Sequence, residues 1–134
     1  VEIRIYYEDT DCGGVVYYAN YLRYFERART QFFLDRKMSL ADHQKKGALF
    51  TVVSAVVNYK SPAYYGDVLE ANVIIEGVKG SSFTVHYTLR RKKDDALIAT
   101  GSTRMACVNT EMKPTRMPPE IHEALTLSIP KRSI

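Results

Sequence analysis

Tryptophan is absent from the 134 residues, histidine occurs three times and cysteine twice. Each scarcity closes a route to chemistry. His43, His86 and His122 are scattered, with no His/Cys cluster at metal-ligand spacing and no Ser-His-Asp set that can be assembled. Cys12 and Cys107 are too few for a disulfide framework. Cys12 adjoins Asp11 but has no recognisable local base to make it a nucleophile. No apolar run approaches the roughly 18 residues that span a bilayer. The N-terminus opens on an alternating pattern rather than a basic and then apolar leader, and no Walker-type glycine loop is present. The expectation is a soluble, unprocessed, cytoplasmic protein with no metal, no organic cofactor and no stable membrane insertion.

What is present is apolar and patterned. At 46% hydrophobic the chain fits one globular domain over residues 1–134, long enough to bury a core. Val1, Ile3, Ile5 and Tyr7 alternate with polar residues as in a half-buried strand. From Asn20 to Arg36 the period becomes helical, with Tyr21, Phe25, Ala28 and Phe32 on one face and Leu22, Phe33 and Leu34 widening it. A short helix is expected from Ser39 to Lys45, ended by Gly47. Strands follow over Leu49–Tyr59, Asp67–Val78, Phe83–Leu89 and Leu97–Val108, with turns at Ser61-Pro62, Lys79–Ser82 and Lys93–Asp95. Prolines 114, 118 and 119 then precede a short helix over Pro119–Leu125. Short connections favour antiparallel neighbours, so the order predicts an α+β fold: a five-stranded antiparallel sheet covering one long helix. Such a sheet leaves an edge and an outer face that a second copy could cover.

The net charge is +4, and the excess is concentrated. Arg90, Arg91, Lys92 and Lys93 form one block; Lys113, Arg116, Lys131 and Arg132 gather near the end. Blocks of this kind suit nucleic acid or a phosphate-bearing ligand, and equally a solvated hairpin and tail. The ten tyrosines suit pockets or interfaces with one wet edge, or simply complete a core.

The segment Tyr7–Tyr21 carries the strongest chemical signal. Asp9 and Asp11 precede Gly13-Gly14, where the backbone can approach a ligand closely, and a helix begins soon after. The first N–H groups of a helix lack intrahelical partners and can polarise a carbonyl oxygen. Asp11 is the candidate carboxylate, and the Tyr18 backbone N–H is the candidate donor. An ordinary aspartate is ionised at neutral pH, which suits a nucleophile or an anionic orienter. On residue types alone the same Asp-Thr-Asp reads more readily as a turn and helix cap.

The pattern Tyr7-x-Asp9-Thr10-Asp11-x-x-Gly14-Val15-Val16-Tyr17-x-x-Asn20-Tyr21, followed by Glu26-x-Ala28-Arg29, resembles the signature of the hotdog-fold acyl-CoA thioesterases. The closest branch is the YbgC-type group, related to the 4-hydroxybenzoyl-CoA thioesterases. The resemblance implies a sheet wrapped around the central helix, dimers that pair into tetramers, and active sites at the subunit interface. It puts the catalytic carboxylate on Asp11 and the carbonyl-polarising N–H on Tyr18. Many members of the branch have histidine where this chain has Tyr18, a change that leaves a backbone donor intact. It also implies coenzyme A on the surface near Lys79, Gly80, Ser81 and Ser82, with Arg90, Arg91, Lys113 and Arg116 available to its phosphates. The implied activity is hydrolysis of an acyl-CoA to a free acid and coenzyme A. The alternatives are a thioester carried by acyl carrier protein, or a non-catalytic module binding an acyl ligand or nucleic acid.

Overall fold

The structure, a computed structural model, describes residues 1–38 and 47–130. Five strands form one antiparallel sheet: β1 (Glu2–Arg4), β2 (Leu49–Tyr59), β3 (Val68–Glu76), β4 (Ser82–Arg91) and β5 (Leu97–Val108), in the order β1-β3-β4-β5-β2. β1 pairs antiparallel with β3, setting Ile3 opposite Leu69. Among the described residues the helices are α1 (Asn20–Asp35) and α2 (Pro119–Leu127), and a single 3-10 turn spans Tyr7–Asp9. The expected helix over Ser39–Lys45 lies outside the described residues.

Packing divides the chain into two compact units. One comprises Val1–Gln31, Val56–Val73 and Tyr87–Gly101. Here the N-terminal half of α1 buries Tyr21, Tyr24, Phe25 and Ala28. Phe25 stacks on Tyr87, with ring centroids 4.4 Å apart and planes 8° from parallel, and Arg29 Nη1 donates to the Tyr87 hydroxyl at 2.8 Å. Gly101 makes that stack fit: a Cβ there would stand 2.5 Å from both the Phe25 ring and the Val56 carbonyl oxygen. Burying an aromatic ring of this kind stabilises by about 1.5–3 kcal/mol.

The other unit comprises Phe32–Ala55, Ile74–His86 and Ser102–Ile134. The C-terminal half of α1 contributes Phe33, whose ring meets Phe83 edge-on at 6.2 Å, and Phe50 meets Phe83 at 5.8 Å. Ile121 and Leu125 of α2 are buried in the same unit.

Three expectations are corrected. Tyr7 is exposed, not on the buried face of a strand, because β1 stops at Arg4 and the chain turns. The Asp9 carboxylate takes the Tyr6 N–H at 2.8 Å and closes that turn locally. Val1, expected beside Ile3 and Ile5, is also exposed. Leu22 and Leu34 face solvent, while Tyr24, which the periodicity did not single out, is fully buried.

Candidate active site

Residues 9–17 form a small antiparallel hairpin. Tyr17 N–H donates to the Asp9 carbonyl at 2.9 Å and Asp11 N–H to the Val15 carbonyl at 2.9 Å, with a bridge between Thr10 and Val16. Gly14, at φ +80°, closes the turn by donating to the Asp11 carbonyl at 3.0 Å. A side chain at that φ is strained, which is why glycine is used. Val16 N–H donates to the Ala63 carbonyl at 2.8 Å, anchoring the hairpin in the first unit.

Asp11 is exposed, and its Oδ1 accepts the Gly13 N–H at 2.8 Å. This is the local aspartate turn expected of the residue type. Cys12, beside it, is an exposed free thiol. Asp9 differs from Asp11: it is buried, its Oδ2 accepts Tyr6 N–H, and its carbonyl accepts both Tyr17 N–H and, at 2.9 Å, Asn20 Nδ2. Burial first, and the Asp9 carboxylate next, push the Tyr24 phenol well above its ordinary pKa. Asp9 therefore shapes the loop, and Asp11 is the carboxylate left open to solvent.

α1 starts with short-range bonds, Asn20 N–H to the Tyr17 carbonyl at 2.9 Å and Tyr21 N–H to the Tyr18 carbonyl at 3.3 Å. Among the described residues the Tyr18 and Ala19 N–H groups have no acceptor. These are the unpaired donors expected at a helix N-terminus. The Tyr18 ring lies 4.7 Å from that of Tyr17 and 6.4 Å from that of Tyr59, whose hydroxyl reaches the Tyr18 carbonyl at 3.4 Å. Beside them opens a cavity of about 310 Å³ lined by Val15, Val16, Tyr18, Tyr21, Tyr59, Lys60, Ser61 and Pro62. Asp11 does not line it.

The basic candidates separate by their partners. Arg91 Nε lies 3.1 Å from buried Asp67, its Nη1 bonds Asp94 at 3.1 Å, and its Nη2 donates to the Pro62 carbonyl at 2.7 Å. Arg90 bonds the Asp95 carbonyl at 3.1 Å. Both are occupied in holding the β4–β5 hairpin of the first unit. Lys113 sits 3.7 Å from Glu111.

In the second unit, by contrast, the Lys79–Ser82 turn is held by Met117 N–H to the Gly80 carbonyl and Cys107 N–H to the Ser81 carbonyl, both 2.8 Å. Arg116 packs directly on Gly80. Ser81 and Ser82 line a cavity of about 380 Å³ with Val53, Ser54, Arg104, Ala106 and Pro114. Among the described residues the side chains of Lys79, Arg104 and Arg116 have no acidic partner. Arg104 was not among the sequence candidates; its only signal is a charge in an otherwise uncharged strand.

The described residues hold no group of three His, Cys, Asp or Glu that could take a metal ion, and no helix among them is long and apolar enough to cross a membrane.

The profile of the Thioesterase-like superfamily matches residues 6–125. The chain is 34% identical to the acyl-CoA thioesterase YbgC of Haemophilus influenzae, over 91% of this chain and 90% of that protein. It is equally 34% identical to the putative acyl-CoA thioesterase YneP of Bacillus subtilis, over 82% and 79%. Among solved structures it is similar to a DHNA-CoA thioesterase from Staphylococcus aureus, at 31% identity and TM-score 0.90, covering 95% of this chain and 87% of that one. Slr0204, a 1,4-dihydroxy-2-naphthoyl-CoA thioesterase from Synechocystis, superposes at TM-score 0.89 and 25% identity, covering 94% and 93%. With its five-stranded sheet, its hairpin ahead of α1 and a profile match over most of its length, the chain belongs to the thioesterase-like superfamily and has the hotdog fold.

Proposed function

We propose that this protein hydrolyses acyl-CoA thioesters to the free acid and coenzyme A, with Asp11 as the reacting carboxylate and the Tyr18 N–H as oxyanion donor. The observation that carries the reading is the hairpin itself: an exposed carboxylate on one arm and an unpaired helix-start N–H immediately after the other. A donor of this kind, fixed before the reaction, stabilises the oxyanion without reorganising. In one course the Asp11 carboxylate adds to the thioester carbonyl, the C–S bond breaks, and coenzyme A leaves as thiolate and is protonated; water then hydrolyses the mixed anhydride. In the other, Asp11 takes a proton from the attacking water and the C–S bond breaks in the same way. No cofactor takes part in either.

The charged end of coenzyme A is assigned to the Lys79–Ser82 turn with Arg116 and Arg104, because among the described residues these cations have no acidic partner. Lys113 is a lesser contributor, its charge being offset by Glu111. Arg90 and Arg91 are withdrawn from contact with phosphate by their carboxylate and carbonyl partners.

The protein acts in the cytoplasm as a homo-oligomer, a dimer or a tetramer. Supporting this, β2 is an eleven-residue edge strand with Val52, Val53, Val56 and Tyr59 exposed, the kind of edge that proteins pair or cover.

Thiol release from a panel of acyl-CoAs, measured for the parent and Asp11→Asn, tests the activity. Loss of release in the variant supports the reading; equal rates would remove Asp11 from the chemistry. A single turnover in heavy-oxygen water separates the two courses, since label enters Asp11 only if it attacks. Acyl carrier protein remains the second thioester carrier to assay. A parent that releases no thiol from either carrier, but binds an acyl ligand or binds nucleic acid in a salt-sensitive way, would make it a binding module instead.

A further inference from the structure

We infer that Asn20 is a positioning residue that sets the direction of the Tyr18 N–H, a role that rests on the thioesterase reading above. Asn20 holds the preceding segment at two points. Its backbone N–H takes the Tyr17 carbonyl at 2.9 Å, and its side-chain Nδ2 takes the Asp9 carbonyl at 2.9 Å. The first bond matters because the Tyr17 carbonyl and the Tyr18 N–H belong to one peptide group. A trans peptide is planar, with its C=O and N–H pointing opposite ways. Holding that carbonyl toward the Asn20 N–H therefore turns the Tyr18 N–H away from the helix, where it meets no acceptor among the described residues.

The second bond keeps the first in place. The Asp9 carbonyl already accepts the Tyr17 N–H at 2.9 Å, so the Asn20 amide ties the helix start to the same oxygen that ties the hairpin. Asp9 is a fixed anchor for both: buried, with its carboxylate on Tyr6 N–H at 2.8 Å. Tyr59 braces the far side, its hydroxyl reaching the Tyr18 carbonyl at 3.4 Å. Asn20 touches no reacting atom in this arrangement. It acts through the Tyr17–Tyr18 peptide.

The experiment compares the parent with Asn20→Ala and Asn20→Asp, the latter a near-isostere without the Nδ2 donor that suits a helix N-terminus. Misplacing a reacting group by about 1 Å costs on the order of 100-fold in rate. Both variants are expected to lose about 10- to 100-fold in kcat, with KM within about threefold and the melting temperature of Asn20→Asp close to that of the parent. A kcat within twofold of the parent in both variants would overturn the inference. So would a rise in KM alone, which would make Asn20 a substrate contact.

Amide exchange reads the same arrangement without turnover. In Asn20→Ala the Tyr17 amide should exchange about tenfold faster or more while β4 amides keep their protection, and unchanged Tyr17 protection would refute the link to Asp9. A parent that releases no thiol would sink the thioesterase reading and leave this exchange measurement standing as the test of the link.

Discussion

Arg116 lays its guanidinium on Gly80, with Nη2 3.3 Å and Nε 3.4 Å from the position a β-carbon would take. The turn is closed around that contact by Met117 N–H on the Gly80 carbonyl. On the proposed function this cation, held over a backbone turn, is available to the phosphates of coenzyme A. Arg116→Ala is expected to raise KM for acyl-CoA by about three- to tenfold, with kcat little changed, and the difference should shrink at high salt. Arg90→Ala should leave KM within twofold. The measurement is steady-state kinetics at two ionic strengths.

Arg91 tests the opposite role. With Asp67 buried and the Arg91 side chain largely enclosed, removal of the guanidinium leaves that carboxylate to the Tyr64 N–H at 2.9 Å and to Lys93 Nζ at 4.0 Å. Arg91→Ala should cost about 3 kcal/mol of stability, seen as a lower urea midpoint, while KM of the folded protein stays near that of the parent.

Gly101 is the most tightly packed of the glycines. A methyl group there would meet the Val56 carbonyl oxygen and the Phe25 ring at 2.5 Å, and the carbonyl belongs to the backbone of β2. Gly101→Ala should destabilise by about 3 kcal/mol, at the upper end of overpacking costs. Chemical denaturation would measure it, and a cost below about 1 kcal/mol would mean the strands part easily.

The two thiols should behave differently. Cys107 is buried, and that burial raises its thiol pKa; Cys12 is exposed. One thiol should therefore react quickly with a disulfide reagent near pH 8, and the second only as the protein unfolds. Because the folded pKa of Cys107 lies above the unfolded one, its contribution to stability is fully present below the unfolded value. It declines as pH rises through the folded value, so alkaline titration should lower the urea midpoint.

Exposed Val53 lies on the edge strand. If β2 is the strand that joins copies, Val53→Asp should shift the mass measured by light scattering toward the monomer, with circular dichroism unchanged. An unaltered mass would direct attention to another surface.

Much of this architecture was legible in the sequence because it is periodic. The alternation of Phe83, Val85, Tyr87 and Leu89 gave β4 with every one of them buried, and the spacing from Tyr21 to Phe32 gave α1. Tyr7 broke the pattern because local hydrogen bonds, Tyr6 N–H to the Asp9 carboxylate and the Asp9 and Thr10 N–H groups to the Tyr6 and Tyr7 carbonyls, bend the chain. Hydrophobicity carries no trace of such a bond. The turn residues of the Asp11 segment and its helix start were likewise visible locally. The standing of the basic residues was not. Whether an arginine is free depends on partners distant in sequence: Asp67 reaches Arg91 across 24 positions, while Arg104 meets no acid among the described residues.

The Gly13 N–H bond makes the two oxygens of Asp11 chemically unequal. Oδ1 has a lone pair committed to a neighbour's amide, and Oδ2 has no such bond from the turn. In a covalent course the bond to the acyl carbon then forms through Oδ2. A turn glycine thus distinguishes two oxygens that the covalent structure of the carboxylate leaves equivalent.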